Sequence, residues 1–89
     1  MYNLRIRKTV EKIFHKIAKK NPAQLEMINK KIKDIRKNPL RYKNLKSPLN
    51  HLKRVHIDKS FVLVFSIDES DRIITIEDFD HHDNIYSIK

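Results

Sequence analysis

This 89-residue chain carries 20 Lys and Arg against 11 Asp and Glu, a formal net charge of +9, and contains no cysteine. Its length allows only one small hydrophobic core, so we expect a single domain that spans residues 1–89. Without cysteine there are no disulfides and no thiolate metal ligands, and the apolar runs are much too short to cross a bilayer. The N-terminus lacks the apolar segment of a signal peptide. We therefore expect a soluble cytoplasmic protein with no membrane partner.

The charge is unevenly distributed along the chain. Residues 1–60 hold 18 basic and 4 acidic groups, whereas residues 61–89 hold 2 basic and 7 acidic groups. A basic field of this size attracts polyanions such as RNA and speeds their encounter with the protein. Lysine-rich helices that only keep the protein soluble would explain the charge equally well, and so would an acidic protein partner. Charge alone leaves these alternatives open.

Hydrophobic periodicity predicts one strand and two helices in the first half of the chain. Apolar residues alternate with polar ones over residues 2–7, the pattern of a half-buried strand. From Val10 to Ala18 they recur every three or four positions and so line one face of a helix. Asn21 can cap a second helix, and Pro22 suits its first turn. The apolar stripe of that helix runs from Leu25 to Ile35, so the two helices should form an antiparallel hairpin.

The second half of the chain predicts three short strands. A loop is predicted over residues 40–51. The three predicted strands after it are Leu52–Ile57, Phe61–Ile67 and Ile73–Phe79, and short polar turns separate them. Connections this short between strands require antiparallel pairing. The predicted fold class is α+β, with the order β-α-α-β-β-β, an antiparallel sheet and the helical hairpin packed on one face. The opposite face is predicted to be uncovered and therefore available to bind a ligand.

Side-chain alternation selects the residues that this open face should present. Alternate residues of the second and third strands suit the core, so Arg54, His56, Val62 and Val64 should point to the open face. The segment 80–86 should then cross that face. The preceding loop should place basic side chains along its rim, and these are Arg41, Lys43 and Lys46.

The residue types on this face suit cleavage of RNA without a metal ion. The 2′-hydroxyl must lose a proton, the phosphorane must be stabilised, and the 5′-oxygen must gain a proton. Histidine can transfer protons near neutral pH, Arg and Lys can stabilise the phosphate charge, and tyrosine can donate a proton or stack on a base. A solvated basic strand and a packed terminal aromatic residue would also account for these side chains. The candidates are Arg54, His56, His81, His82 and Tyr86.

Two segments resemble the RelE/ParE superfamily of toxins from prokaryotic toxin–antitoxin pairs. The stretch from Leu45 to Phe65 is similar to the family's loop, basic strand and following strand that ends in an aromatic residue. The family's basic positions fall within residues 53–56. The ending His81–Tyr86 is similar to the family's closing His-Arg-x-x-Val-Tyr pattern, with His82 at the arginine position. The resemblance covers nearly the whole chain and implies a RelE-like, microbial ribonuclease-type fold.

The resemblance also implies an activity and a partner. In the RelE branch these positions line a metal-independent endoribonuclease site that cuts mRNA on the ribosome and so inhibits translation. A RelB-like antitoxin would wrap the toxin, neutralise it and form a hetero-oligomer with it. No cofactor is implied. Together with the residues expected on the open face and its rim, the candidates for catalysis are Arg54, His56, His81, His82 and Tyr86, and those for RNA binding are Arg41, Lys43, Lys46 and Lys53.

One departure from the family pattern concerns Val62, which stands where many RelE-type members have an arginine. A neutral imidazole stabilises a phosphorane less than a guanidinium does, so we expect a weak or ribosome-assisted nuclease. Two alternatives remain open. The ParE branch shares the fold but inhibits DNA gyrase without being an enzyme, and a general RNA-binding module would need only the basic helices. The His-His-x-x-x-Tyr ending favours the RelE branch.

Residues 78–83 include several types of metal ligand. Successive residues rarely converge on one ion unless a turn folds them back, and the segment contains no His-x-x-x-His motif. The sequence therefore predicts a polar turn here, with no metal site and no cofactor.

Overall fold

The computed structural model describes residues 1–86 and has an α+β architecture. The predicted order β-α-α-β-β-β is confirmed, and a short terminal helix that the sequence did not predict follows it. No helix within the described residues is both long enough and apolar enough to span a bilayer. The elements are β1 Asn3–Ile6, α1 Lys8–Lys20, α2 Pro22–Lys37, a 3₁₀ turn Pro39–Arg41, β2 Lys53–Ile57, β3 Phe61–Asp68, β4 Ile73–His81 and α3 His82–Tyr86.

The helical hairpin forms around the predicted cap. The side-chain oxygen of Asn21 accepts a hydrogen bond from the backbone N–H of Gln24 at 3.2 Å, and Pro22 occupies the first turn of α2. This bond satisfies one of the N–H groups that a helix start leaves without a partner. The side chain of Gln24 does not complete a capping box but donates to the carboxylate of Asp58 at 3.4 Å. The cap therefore fixes the hairpin, and the glutamine links it to the turn between β2 and β3.

The four strands form one sheet in the order β1-β4-β3-β2. The pairs β2–β3 and β3–β4 are antiparallel, as their short connections require. In contrast, β1 pairs with β4 in parallel, with Leu4 opposite Ile74. Alternation of apolar residues carries no information on strand direction, and the connection from β1 to β4, through the helical hairpin, β2 and β3, is long enough to permit parallel pairing. The sheet is therefore mixed at one edge.

A β-bulge in β4 brings Ile74, Ile76 and Phe79 to the same face of the sheet, although their spacing in the sequence does not alternate strictly. Phe65 pairs with Ile76 but its neighbour Val64 pairs with Asp78, which leaves Glu77 as the extra residue. The bulge breaks the strict alternation of side chains. The Glu77 carboxylate accepts a hydrogen bond from the Ser66 hydroxyl at 2.6 Å and forms an ion pair with Arg7. The bulge is thus held by β3 on one side and by the end of β1 on the other.

The glycine-free turn between β3 and β4 depends on Asp68. Its carboxylate accepts hydrogen bonds from the backbone N–H of Asp71 at 3.1 Å and the hydroxyl of Ser70 at 3.0 Å. These bonds favour the ionised form, so they lower the pKa of Asp68 from its ordinary value of 3.8. Arg72, at the end of the turn, has a positive φ of 54°. The Asp68 carboxylate therefore stabilises the turn through its hydrogen bonds, and Arg72 takes the left-handed conformation that glycine often has in tight turns.

The main core lies between the helical hairpin and one face of the sheet. Its centre is the third strand, where Leu63 and Phe65 are fully buried beneath α1 and α2. Phe79 joins them from β4 and packs against Phe14 of α1 and Phe61 of β3. The prediction that the helices cover this face is confirmed. The other residues buried in this core are Tyr2, Val10, Ile28, Ile32, Ile35, Ile57, Ile74 and Ile76.

The prediction that the second face is uncovered is wrong. Val62 and Val64 point to that face as expected, but they are only 0% and 2% exposed. Leu45 from the preceding loop and Ile85 from α3 bury them in a second apolar cluster, with Leu49 and Leu52 packed at its margin. Leaving two central valines in water would forfeit the free energy that apolar burial provides. The loop and α3 therefore cover part of the sheet and leave a groove between them.

Candidate functional site

The groove lies between the loop and α3, above the edge strand β2. Its cavity has a volume of about 620 Å³. One wall is the loop segment 44–49, and the other consists of Ile85 and Tyr86. Two strand residues with adjacent side chains on the same face, Arg54 and His56, complete the lining. This combination of apolar walls with a few polar groups is typical of a small ligand site.

Backbone pairing of the loop with β2 gives the groove its shape. The N–H of Leu45 donates to the carbonyl of Leu52 at 2.8 Å, and the N–H of Arg54 donates to the carbonyl of Lys43 at 3.0 Å. These bonds cover the free edge of β2 and hold the loop against it. The loop wall is therefore fixed by the backbone and by the buried side chain of Leu45.

Three of the five predicted catalytic residues meet in the groove. The guanidinium carbon of Arg54 lies 5.8 Å from the centroid of the Tyr86 ring, within the range of a cation–π contact. Tyr86 is 47% exposed, and His56 is also exposed beside Arg54. A proton-transfer group, a fixed cation and a stacking aromatic ring thus line one cavity. Lys46 adds a second cation from the loop wall.

The other two predicted catalytic residues lie outside the groove. His81 is opposite Phe61 in the sheet, and the two rings make an edge contact with centroids 5.7 Å apart. His82 stacks on His81 at 4.5 Å. Because Phe61 packs against the main core, His81 points to the helix-covered side of the sheet. Sequence reasoning placed both histidines on the groove face since it did not predict that β4 extends to His81 and passes directly into α3.

The predicted RNA-binding residues are dispersed. Only Lys46 lines the groove. The ammonium group of Lys53 donates to the carbonyl of Tyr42 at 2.9 Å and the side chain of Asn44 at 2.8 Å, so it anchors the start of the loop. Arg41 stacks on the Tyr42 ring, with 5.0 Å from its guanidinium carbon to the ring centroid. Lys43 is exposed and does not line the cavity.

The groove walls contain residues that the sequence analysis treated as ordinary loop. Leu45, Pro48 and Leu49 form much of the loop wall, and Ile85 packs opposite them. A signal was present, because Leu45 and Leu49 stand in the middle of a largely polar loop, next to Leu52 at the start of the predicted strand, and a solvated segment does not need these leucines. They indicate a loop that folds back onto the sheet.

Comparisons with known proteins agree with this architecture. Residues 2–86 match the family model described as the ParE toxin of the type II toxin–antitoxin system parDE. A putative toxin, RelE4, from Methanocaldococcus jannaschii is 52% identical over 89 residues, covering 100% of this chain and 95% of that protein. An uncharacterised protein from Methanosarcina mazei is 64% identical over 86 residues, which cover 97% of this chain and 100% of that protein.

Solved structures show the same fold. The toxin–antitoxin complex RelBE2 from Mycobacterium tuberculosis contains a chain with a TM-score of 0.76 and 24% identity, covering 90% of this chain and 96% of that one. The YoeB–YefM complex from Staphylococcus aureus gives a TM-score of 0.77 at 22% identity, with 92% and 98% covered. The isolated RelE toxin of E. coli gives 0.74 at 15% identity, with 91% and 84% covered. With a family match along nearly its whole length, this chain belongs to the RelE/ParE superfamily of toxins from type II toxin–antitoxin systems.

Proposed function

We propose that this toxin is a metal-independent endoribonuclease that cuts mRNA on the ribosome and so inhibits translation. The observation that carries the proposal is the convergence of Arg54, His56, Lys46 and Tyr86 on one groove. A gyrase inhibitor does not need a proton-transfer residue beside two cations and an aromatic ring. RNA cleavage uses proton transfer and stabilisation of negative charge, and an aromatic ring can position a base beside the scissile linkage.

The roles follow from the chemistry of the linkage. His56 is the candidate base that takes the proton of the 2′-hydroxyl, and the leaving 5′-oxygen would take its proton from water in the groove. Arg54 and Lys46, on different walls of the groove, would stabilise the negative charge of the phosphorane. Tyr86 would stack on a neighbouring base, with Arg54 keeping its ring in place through the cation–π contact. His81 and His82 have no part in this proposal because they do not line the groove.

We expect assistance from the ribosome for a structural reason. The position where many RelE-type members carry an arginine is the buried Val62, so the groove has two cations and no third from the sheet floor. Fewer cations give less stabilisation of the transition state. Cleavage of naked RNA should therefore be slow, and a ribosome-bound message should be the better substrate. Because ribosomes translate mRNA in the cytoplasm, we also propose that the protein acts there.

An antitoxin is the proposed protein partner. The M. tuberculosis and S. aureus relatives are described as toxin–antitoxin complexes. This chain is basic, with a net charge of +9, which suits an acidic antitoxin. Exposed apolar side chains on the helices and the 3₁₀ turn, such as Met27 and Leu40 at 43% and 53% exposure, would add to its docking surface. Co-purification with the product of a neighbouring reading frame tests this partner.

The decisive experiment is mapping of mRNA cuts by primer extension after induction of the toxin. Wild type should give discrete cuts within translated regions, while His56→Ala and Arg54→Ala should lose them. His15→Ala is the matched control. His15 is an exposed histidine on α1, and α1 lies on the face of the sheet opposite the groove. In a parallel translation reaction, a chelator that removes transition metals but leaves the Mg²⁺ that the ribosome needs should not abolish cleavage. Cuts that survive both groove substitutions would reject the proposed site.

One observation favours the gyrase alternative. The family model that matches residues 2–86 is described for ParE toxins of parDE systems. If the chain acts in that way, the purified protein should block supercoiling by DNA gyrase and leave mRNA intact in a translation reaction. Inhibited supercoiling together with intact mRNA would replace the nuclease proposal. Cleaved mRNA with normal supercoiling would support it.

A further inference from the structure

The junction of β4 and α3 brings two imidazoles and one carboxylate together. The Nδ1 atom of His81 lies 3.6 Å from Oδ2 of Asp83, and the Nδ1 atom of His82 lies 2.9 Å from Oδ1 of the same residue. One possible ligand atom from each of the three residues lies within 4.8 Å of the others. We propose that His81, His82 and Asp83 bind a divalent transition-metal ion, and that Zn²⁺ is the ion this ligand set fits best.

A chain reversal makes this convergence possible for three successive residues. His81 is the last residue of β4, and His82 is the first of α3. The carboxylate of Asp80 holds the reversal, because it accepts hydrogen bonds from the backbone N–H of His81 at 2.7 Å and the side-chain amide of Asn84 at 3.0 Å. The sequence predicted no metal site because successive residues rarely converge without such a turn. The structure supplies the turn.

The sheet holds both histidines in position. The ring of His81 packs edge-on against Phe61, and the backbone N–H of His82 donates to the carbonyl of Ser60 at 2.8 Å. Both side chains are half-buried, with 39% and 40% exposure. Ligands that are already fixed by packing and backbone bonds lose little conformational entropy when an ion binds. This pre-organisation distinguishes the cluster from a chance group of surface residues.

The ligand chemistry selects the class of metal. Imidazole nitrogen and carboxylate oxygen are usual Zn²⁺ ligands at about 2.0–2.2 Å, which places neighbouring ligands roughly 3.3 Å apart in a tetrahedron. The imidazole–carboxylate distances are close to this value, at 3.6 Å from His81 to Oδ2 of Asp83 and 2.9 Å from His82 to Oδ1, so each imidazole faces a different oxygen. The Nδ1 atom of His81 also accepts a 3.2 Å hydrogen bond from the backbone N–H of Asp83, and an ion bound through this atom would replace that bond. Water would supply the fourth ligand.

The bound ion would act on α3 and not on RNA. His81, His82 and Asp83 do not line the groove, but the helix that starts at His82 ends with the two residues of the groove wall, Ile85 and Tyr86. An ion that ties the end of β4 to the first turn of α3 would stabilise that wall. The ion would take no part in the chemistry of cleavage, so metal binding can be tested separately from nuclease activity.

Calorimetric titration of the metal-free full chain with Zn²⁺, without a polyhistidine tag, tests the site. We expect one ion per chain and an increase in melting temperature. Asp83→Asn should weaken binding by roughly tenfold or more, and it should leave the fold intact because the Asp83 side chain is 74% exposed. His51→Gln, which alters an exposed loop histidine, is the matched control and should bind as wild type. Equal affinities for Asp83→Asn and wild type, or no saturable binding, would overturn the proposal.

Titration of the unaltered protein gives an independent check. The imidazole NMR signals of His81 and His82 should shift with the first equivalent of Zn²⁺, ahead of those of His15, His51 and His56. Earlier shifts at any of the other three histidines would overturn the assignment. With Co²⁺ in place of Zn²⁺, visible absorption typical of a four-coordinate ion should develop and should be lost in Asp83→Asn. None of these measurements uses nuclease activity. A failure of the metal site and a failure of the nuclease proposal would therefore be seen in different experiments.

Discussion

Replacement of Ile85 by alanine tests whether α3 is held on the sheet by its one buried side chain. Ile85 is 3% exposed and packs on Val62, Val64 and Leu45. The change removes three carbon atoms, which at about 0.8 kcal/mol for each buried methylene amounts to about 2.4 kcal/mol. A residual cavity adds to this cost, although a thin cover can partly collapse, so we expect a loss of about 2–4 kcal/mol.

The expected loss is a large part of the total stability. At 0.05–0.15 kcal/mol per residue, a chain of 89 residues has a free energy of unfolding of about 4–13 kcal/mol. Urea denaturation followed by circular dichroism should show a midpoint lowered by roughly 2 M, for a slope of about 1 kcal/mol per M. Leu40→Ala is the control, since Leu40 is 53% exposed and its truncation should change the free energy of unfolding by less than about 0.5 kcal/mol. An Ile85→Ala variant as stable as Leu40→Ala would refute the docking of α3.

Three further predictions concern the sheet and the groove. Val62→Arg places a charge at a position with 0% exposure, so urea denaturation should show a loss of about 3 kcal/mol or more, and a variant as stable as wild type would contradict the covered face. Lys46→Ala should reduce the salt slope of single-stranded RNA binding by about 0.7, measured by fluorescence anisotropy at several salt concentrations; an unchanged slope would remove Lys46 from the interface. Glu77→Ala should lower the free energy of unfolding by about 1–3 kcal/mol because it deprives the Ser66 hydroxyl of its acceptor. Arg7→Ala should lower the free energy of unfolding by less than about 1 kcal/mol, since the Arg7 side chain is 60% exposed. A larger loss for Arg7→Ala than for Glu77→Ala would reject this account of the bulge.

Local patterns in the sequence predicted the secondary structure well, because each depends on nearby residues. The spacing of apolar residues indicated both helices, and Asn21 with Pro22 indicated where the second begins. Alternation along β2 and β3 correctly assigned Arg54 and His56 to one face and Leu63 to the other. These features arise from the fixed geometry of helix and strand, so a single chain is enough to infer them.

The candidate site was only partly predictable. The resemblance of the C-terminal motif grouped His81, His82 and Tyr86, but in three dimensions the motif divides between two surfaces. Tyr86 lies in the groove with Arg54, whereas the two histidines contact Phe61 and Asp83 on the other side of the strand end. The motif divides because β4 ends at His81 and α3 begins at His82. Side chains alternate between two faces in a strand but recur every three or four residues in a helix, so the strand pattern does not continue to Tyr86.

The order of elements up to β4, the apolar core face and the residue types that could act on RNA can all be inferred from the sequence. Tertiary structure decided that Leu45 and Ile85 cover Val62 and Val64, that β1 runs parallel to β4, and that Lys53 anchors the loop and does not line the groove. These outcomes depend on contacts between residues far apart in the chain. Their free energies come from burial and pairing that no local pattern encodes.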